Sequence, residues 1–357
     1  MSKSLGNGVD PIEVIDEFGA DALRFYIVTG NSAGNDMRYF PERCEAMRNF
    51  ANKIWNASRF VMMNLDENSA QSADFATLPN ELKPEDKWIL SKLNSLTKEV
   101  TENLEKCELG IAAQKIYDFI WDSYCDWYIE LTKPRLSSDD STDSINAQKV
   151  LHYVLVEVLT ILHPFMPFIT EEIYQALPKA TNQDSLSLLM VRQYTKFTDK
   201  LHFPKEEADF ESIMTAIRAV RTRRAEMNVP PSKKANLTIV TENTDLFELG
   251  RAYISRLSFA SDVIITRDAP NDVSNLVTVV TNDARLYMPL AELVDLEAER
   301  ERIHKEIAKV NADIEKITQK LSNKQFTEKA PKKVVNTERE RLEKLQALLT
   351  NLNNSLV

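Results

Sequence analysis

Over the first two hundred residues, apolar side chains recur at steps of three and four, the spacing that lines one face of an α-helix. Residues 12–30 (IEVIDEFGADALRFYIVTG) carry this spacing behind Asp10-Pro11, an N-cap and first-turn pair, and predict one helix. From Pro41 a long amphipathic helix is expected, with Phe50, Ile54, Ala57, Val61 and Leu65 on its inner side. The polar stretch DENSAQSADFATLPN then reads as a linker. Residues 85–106 and 109–134 predict two more helices, ended by Pro134 and SSDDSTDS; residues 145–163 and 167–177 predict a further pair, broken at His163-Pro164. Together these helices predict an antiparallel helical bundle.

Beyond residue 205 the texture changes. A helix over 209–227 runs into Val229-Pro230-Pro231, after which ANLTIVT, DVIIT, NLVTVVT and ARLYMPL read as strands, with a helix near 245–257 between the first two. From Leu293 the positions Leu296, Arg300, Ile303, Ile307, Val310, Ile314, Ile317 and Leu321 alternate steps of three and four, the seam of a coiled coil. After Ala330-Pro331 the seam resumes at Leu342, Leu345, Leu349, Leu352 and Leu356. A proline in mid-pattern favours a chain that folds back on itself over a dimeric coiled coil, and each arm would reach roughly 40 Å at about 1.5 Å per residue. The expected fold class is therefore mainly α: a leading segment over 1–40, a helical bundle over 41–204, a small α+β domain over 205–290 and a C-terminal antiparallel coiled-coil hairpin over 291–357.

Composition narrows the class. Hydrophobic residues make up 43% and charged residues 27%, and no run of eighteen apolar residues offers a membrane span. Cys44, Cys107 and Cys125 stand apart, with no CxxC pair and no histidine at ligand spacing. Neither a disulfide framework nor a metal site is expected, and the compartment expected is the reducing cytoplasm. A net charge of −10 argues against nonspecific coating of nucleic acid, yet it leaves room for local basic patches. Residues 213–237 hold Arg218, Arg221, Arg223, Arg224, Lys233 and Lys234 against Glu226 alone. Residues 316–333 hold Lys316, Lys320, Lys324, Lys329, Lys332 and Lys333 against Glu328 alone. Each patch is either a phosphate grip or a solvated surface.

Candidate chemistry is sparse. MSKSLGN puts Lys3 between the hydroxyls of Ser2 and Ser4 on a glycine-bearing loop, where a lysine can follow phosphate charge; the plain alternative is an exposed loop. In RNFANKIWNASRF, the residues Arg48, Asn49, Asn52, Lys53, Asn56 and Arg59 share a broad polar face. Amides read base edges and cations hold phosphates, but the same face suits solvent. Three asparagines are poor helix formers, which suggests a use. The aromatics of FIWDSYCDWYIELTK read as bundle packing ahead of base stacking, and Asp122, Asp126 and Glu130 as surface charges. His152, His163, His202 and His304 are isolated and read as structural.

MSKSLGNGVDP resembles the Lys-Met-Ser-Lys-Ser signature of class I aminoacyl-tRNA synthetases, entered at its second residue. GADALRFYI, RNFANKIWNASRF, WDSYCDWYIELTKP and HPFMPFITEEIYQAL resemble the segments that follow it in the valyl, isoleucyl and leucyl branch. The hairpin with LSNKQFTEKAPKKVV at its turn is similar to the valyl members, whereas isoleucyl members commonly end in a cysteine-rich zinc module. The resemblance implies a parent enzyme that ligates L-valine to tRNA(Val) with ATP and magnesium, using nucleotide-binding and editing domains that would precede Met1. It implies that this chain is a monomeric, tRNA-binding C-terminal portion, inactive alone and needing no cofactor. Lys3 would be the ATP-binding signature lysine, with Ser2 and Ser4 as its catalytic neighbours. The bundle would bind the anticodon through Asn52, Lys53, Asn56 and Phe60, with Arg43 in PERCEAM one step from where relatives can place an arginine. The tRNA backbone would meet Lys324, Lys329, Lys332 and Lys333 at the hairpin tip, and Arg221 and Arg224. The competing functions are a non-catalytic coiled-coil scaffold and the isoleucyl equivalent.

Overall fold

The computed structural model describes residues 8–30, 37–65, 77–178, 188–293 and 296–322, together with 342, 344–346 and 349. The chain forms two compact units, Met1–Ser212 and Ile213–Val357.

The first unit is helical. Asp10 caps α1 (Pro11–Phe18), its Oδ1 accepting the Ile12 amide at 2.9 Å, with Pro11 in the first turn. The single helix expected over 12–30 is two, because Gly19 adopts φ 94°, a conformation closed to ordinary L-residues, between α1 and α2 (Ala20–Thr29). Val14, Phe18, Ala22 and Tyr26 then share a core with Cys44 of α3 (Pro41–Asn64). The Tyr26 hydroxyl ties the connection down, donating to the Arg38 carbonyl at 2.9 Å and accepting from the Phe40 amide at 3.0 Å. All five inner positions expected for α3, from Phe50 to Leu65, are buried.

After α4 (Pro84–Glu105), helical backbone runs through α5 (Leu109–Asp118), a π-helical segment (Phe119–Tyr128) and α6 (Ile129–Leu136). Pro134 therefore does not end the helix as expected. It lies in the last turn, where its missing N–H removes one ladder bond and the helix closes at Leu136, two residues on. Phe119, Tyr124, Trp127 and Tyr128 are buried, so packing is what most of this aromatic run does. α7 (Ser141–Leu162) is long and apolar enough to cross a membrane by composition, but 72% of its apolar window is buried inside the protein, as in a core helix.

Two polar arrangements fix this packing. Asp21 of α2 accepts the first amides of α8 (Pro167–Ala176), Phe168 at 3.3 Å and Ile169 at 2.6 Å, capping that helix from across the bundle. Burial raises the Asp21 pKa against these lowering amide bonds. Arg135 lies among three carboxylates, its Nη1 donating to Glu85 at 3.0 Å and Asp86 at 2.7 Å and its Nε to Asp143 at 2.9 Å. The Tyr128 hydroxyl donates to Asp86 at 2.7 Å.

The three cysteines are free. Burial raises the Cys44 thiol pKa and pushes the Cys125 thiol up to about 12, although Lys53 lowers it. Cys107 is exposed at the turn before α5. Ellman's reagent at about pH 8 is therefore expected to meet a single fast thiol in the folded chain, lost in Cys107→Ser. A fast phase that survives this substitution would show that buried Cys44 or half-buried Cys125 is open to the reagent.

In the second unit, β1 (Ala235–Val240) runs parallel to β2 (Ala260–Thr266) across α10 (Thr244–Leu257). β3 (Leu276–Val280) pairs antiparallel with β4 (Arg285–Pro289), which pairs antiparallel with β1, giving the order β2-β1-β4-β3. β1 alternates buried Ala235, Leu237 and Ile239 with half-buried partners, the period of a strand with one covered face. The middle of α9 (Pro204–Glu226) packs on α10 so closely that a Cβ at Gly250 would stand 2.8 Å from Ile213 Cδ1. Beyond α11 (Leu290–Leu293) lies α12 (Leu296–Ser322). Ile307, Val310, Ile314, Ile317 and Leu321 are buried or half-buried along it, among exposed neighbours, as the coiled-coil seam requires. Helical Leu342, Leu345 and Leu349 are also half-buried, beside exposed Lys344 and Gln346.

Candidate nucleic-acid interface

α3 presents the strongest candidate. With Phe50, Ile54 and Val61 turned inward, the helical period leaves Asn49, Asn52, Asn56 and Arg59 exposed along one stripe. Trp55 lies on the same stripe at 37% exposure and Met63 at 80%. Trp55 is not among the residues the sequence singles out, although its position three after Asn52 and four before Arg59 places it on the same face.

Other expected contacts are held by the protein. Lys53 Nζ donates to Asp126 Oδ1 at 2.7 Å and sits 3.7 Å from the centre of the Trp121 ring. Trp121 stacks on Tyr117 at 5.5 Å, and Tyr117 leans on Phe50 at 4.5 Å, so a ladder of rings anchors Lys53 beside the stripe. Asp126 is thus half of an ion pair rather than a bare surface charge. Arg48 pairs with Glu45 at 3.0 Å. Phe60 is half-buried beneath the Lys133 ammonium, 5.6 Å from its ring centre. Arg43 is exposed at the helix entry, its guanidinium 5.2 Å from the Phe40 ring centre.

The basic run on α9 divides. Arg218, Arg221 and Arg223 are exposed. Arg224 is only 3% exposed: its Nη2 donates to the carbonyls of Pro230, at 3.3 Å, and Lys233, and its guanidinium lies 5.6 Å from the Phe259 ring centre. Assigning Arg224 to the tRNA backbone is therefore corrected: it holds the turn after α9, and burial lowers its pKa. Ser2, Lys3 and Ser4, and Lys324, Lys329, Lys332 and Lys333, lie outside the described residues.

Among the described residues no group of three or more His, Cys, Asp or Glu side chains could hold a metal. His152 Nε2 lies 3.0 Å from the Pro178 carbonyl and His163 Nδ1 2.8 Å from the Thr170 hydroxyl, both structural contacts.

Three family models match the chain in succession. Residues 1–39 match tRNA synthetases class I (I, L, M and V), residues 86–240 the anticodon-binding domain of tRNA ligase, and residues 295–357 the valyl tRNA synthetase tRNA binding arm. The class defined is that of the class I tRNA ligases. Over 98% of its length the chain is 52% identical to a valine–tRNA ligase of Clostridium perfringens and 49% identical to one of Clostridium acetobutylicum. The chain belongs to the valine–tRNA ligase family, and it spans 39% of the length of each of these relatives. A leucyl-tRNA synthetase complex from Agrobacterium radiobacter K84 aligns at 23% identity over 57% of this chain and 23% of that one, with a TM-score of 0.44, too loose to place any residue. The stripe-bearing part of α3 falls between the first two matched ranges, inside the span shared with the relatives.

Proposed function

We propose that this chain is the tRNA-binding portion of a protein that ligates L-valine to tRNA(Val). The observation that carries the reading is the exposed Asn49, Asn52, Trp55, Asn56 and Arg59 stripe of α3. It offers amide edges for unpaired bases, an indole face for stacking and a cation for phosphate. The arm that begins with α12 braces the same tRNA, Lys324, Lys329, Lys332 and Lys333 supplying phosphate contacts, and Arg221 adds one from α9. Lys3, with Ser2 and Ser4, serves the ATP phosphates in the ligase as a whole, which uses ATP with magnesium. Three free cysteines support a reducing cytoplasm as the place of action, and the in-chain return of the seam beyond Pro331 supports a monomer.

Titrating this chain with tRNA(Val) and with a tRNA of another specificity, between about 50 and 200 mM salt, tests the reading. The expected result is tighter binding of tRNA(Val) and an affinity that falls with salt. Equal binding of both tRNAs would support the scaffold instead.

A further inference from the structure

We propose a further RNA contact in this chain, a cleft between α9 and β3 that takes the phosphodiester backbone of the bound tRNA. The proposal rests on the tRNA-binding reading, and the cleft lies wholly in the second unit. It encloses about 520 Å³, with Arg218, Thr222 and Arg223 of α9 on one side and Thr278 of β3 on the other, over a floor of Ala219 and Val279. Those four rim residues are exposed and the floor is half-buried.

Three features favour a phosphate strand as the occupant. The rim joins guanidinium groups to hydroxyls, which donate to phosphate oxygens and carry little base information. β3 is an edge strand, so the cleft opens along the border of the sheet where an extended chain can enter. The patch is positive in a chain whose net charge is −10, and the one carboxylate in the lining, Glu226, is spent on Arg223 at 3.2 Å. That pair is exposed on both sides, the kind of contact a phosphate exchanges at little cost.

The test uses the full chain and tRNA(Val). Replacing Arg218 and Arg223 with glutamine is expected to weaken binding equally for native and altered anticodons and to flatten the salt slope by about 1 for each arginine. Thr278→Val, which keeps a β-branched residue on the strand, should give a smaller loss of the same kind. Glu226→Gln, which frees Arg223, should strengthen binding by up to about fivefold. Wild-type binding with an unchanged slope in the arginine and threonine variants would overturn the cleft and leave the tRNA-binding reading standing. No preferential tRNA binding by the wild-type chain would overturn that reading first.

Discussion

Replacing Arg135 with alanine is expected to destabilise the helical unit by about 3–5 kcal/mol, because it leaves the buried carboxylates of Glu85 and Asp86 without the guanidinium that faces them. The side chains of Arg135, Glu85 and Asp86 are 7%, 3% and 0% exposed, and Asp143 is 13% exposed. In a unit of this size the loss corresponds to a fall in Tm of roughly 6–20 °C. Burial lowers the Arg135 pKa, but the hydrogen bond and charge of Asp86 and the charge of Glu85 outweigh it and raise the pKa overall. A raised cationic pKa means the contribution is fully present below the unfolded value, so neutral and mildly alkaline solutions keep the network intact. Burial, followed by the Asp86 charge, also pushes the Tyr128 phenol upward and keeps it a donor over the same range. Arg135→Met combined with Glu85→Gln and Asp86→Asn should recover much of the loss, since removing charges on both sides relieves the stranded carboxylates. Thermal melts of the three chains decide it: a single-variant cost below about 1 kcal/mol would show that solvent reaches these carboxylates.

Nothing around Arg135 in the sequence announces this burial. Its carboxylate partners Glu85 and Asp86 lie about fifty residues earlier, and KPRL reads as a helix end. What could be read locally was read: the inner face of α3, the four strands and the seam of α12 all follow from period alone. Gly19 was harder, because apolar spacing runs unbroken through it and only the backbone shows the positive φ. Arg224 had a local signal. It continues the row Ile213, Ile217, Val220 at steps of four, three and four, and that row is buried, whereas Arg221 falls off it. The carbonyls that hold it come from the turn after α9, which composition could not place. Lys53 shares the case: its place on the polar face was legible, its partners Trp121 and Asp126 were not.

That distinction sets the expectation for the α3 stripe. Replacing Asn52 and Asn56 with alanine should cost about 1–3 kcal/mol of discrimination between native and altered anticodons, roughly a 5- to 150-fold effect, with little change in salt slope. Both amides are exposed, so the double variant should melt close to the parent. Trp55→Ala should instead weaken every anticodon alike, by about 1–3 kcal/mol, since each base has a face to stack. Lys53→Ala should combine weaker binding with a lower melting temperature, because Lys53 anchors the ring ladder as well as carrying charge. Binding curves for a set of anticodon-substituted tRNAs separate these outcomes. A uniform loss with a flatter salt slope in the asparagine variant would move those side chains from bases to phosphates. No loss in any variant would remove α3 from the interface and leave the arm and the α9 patch to hold the tRNA.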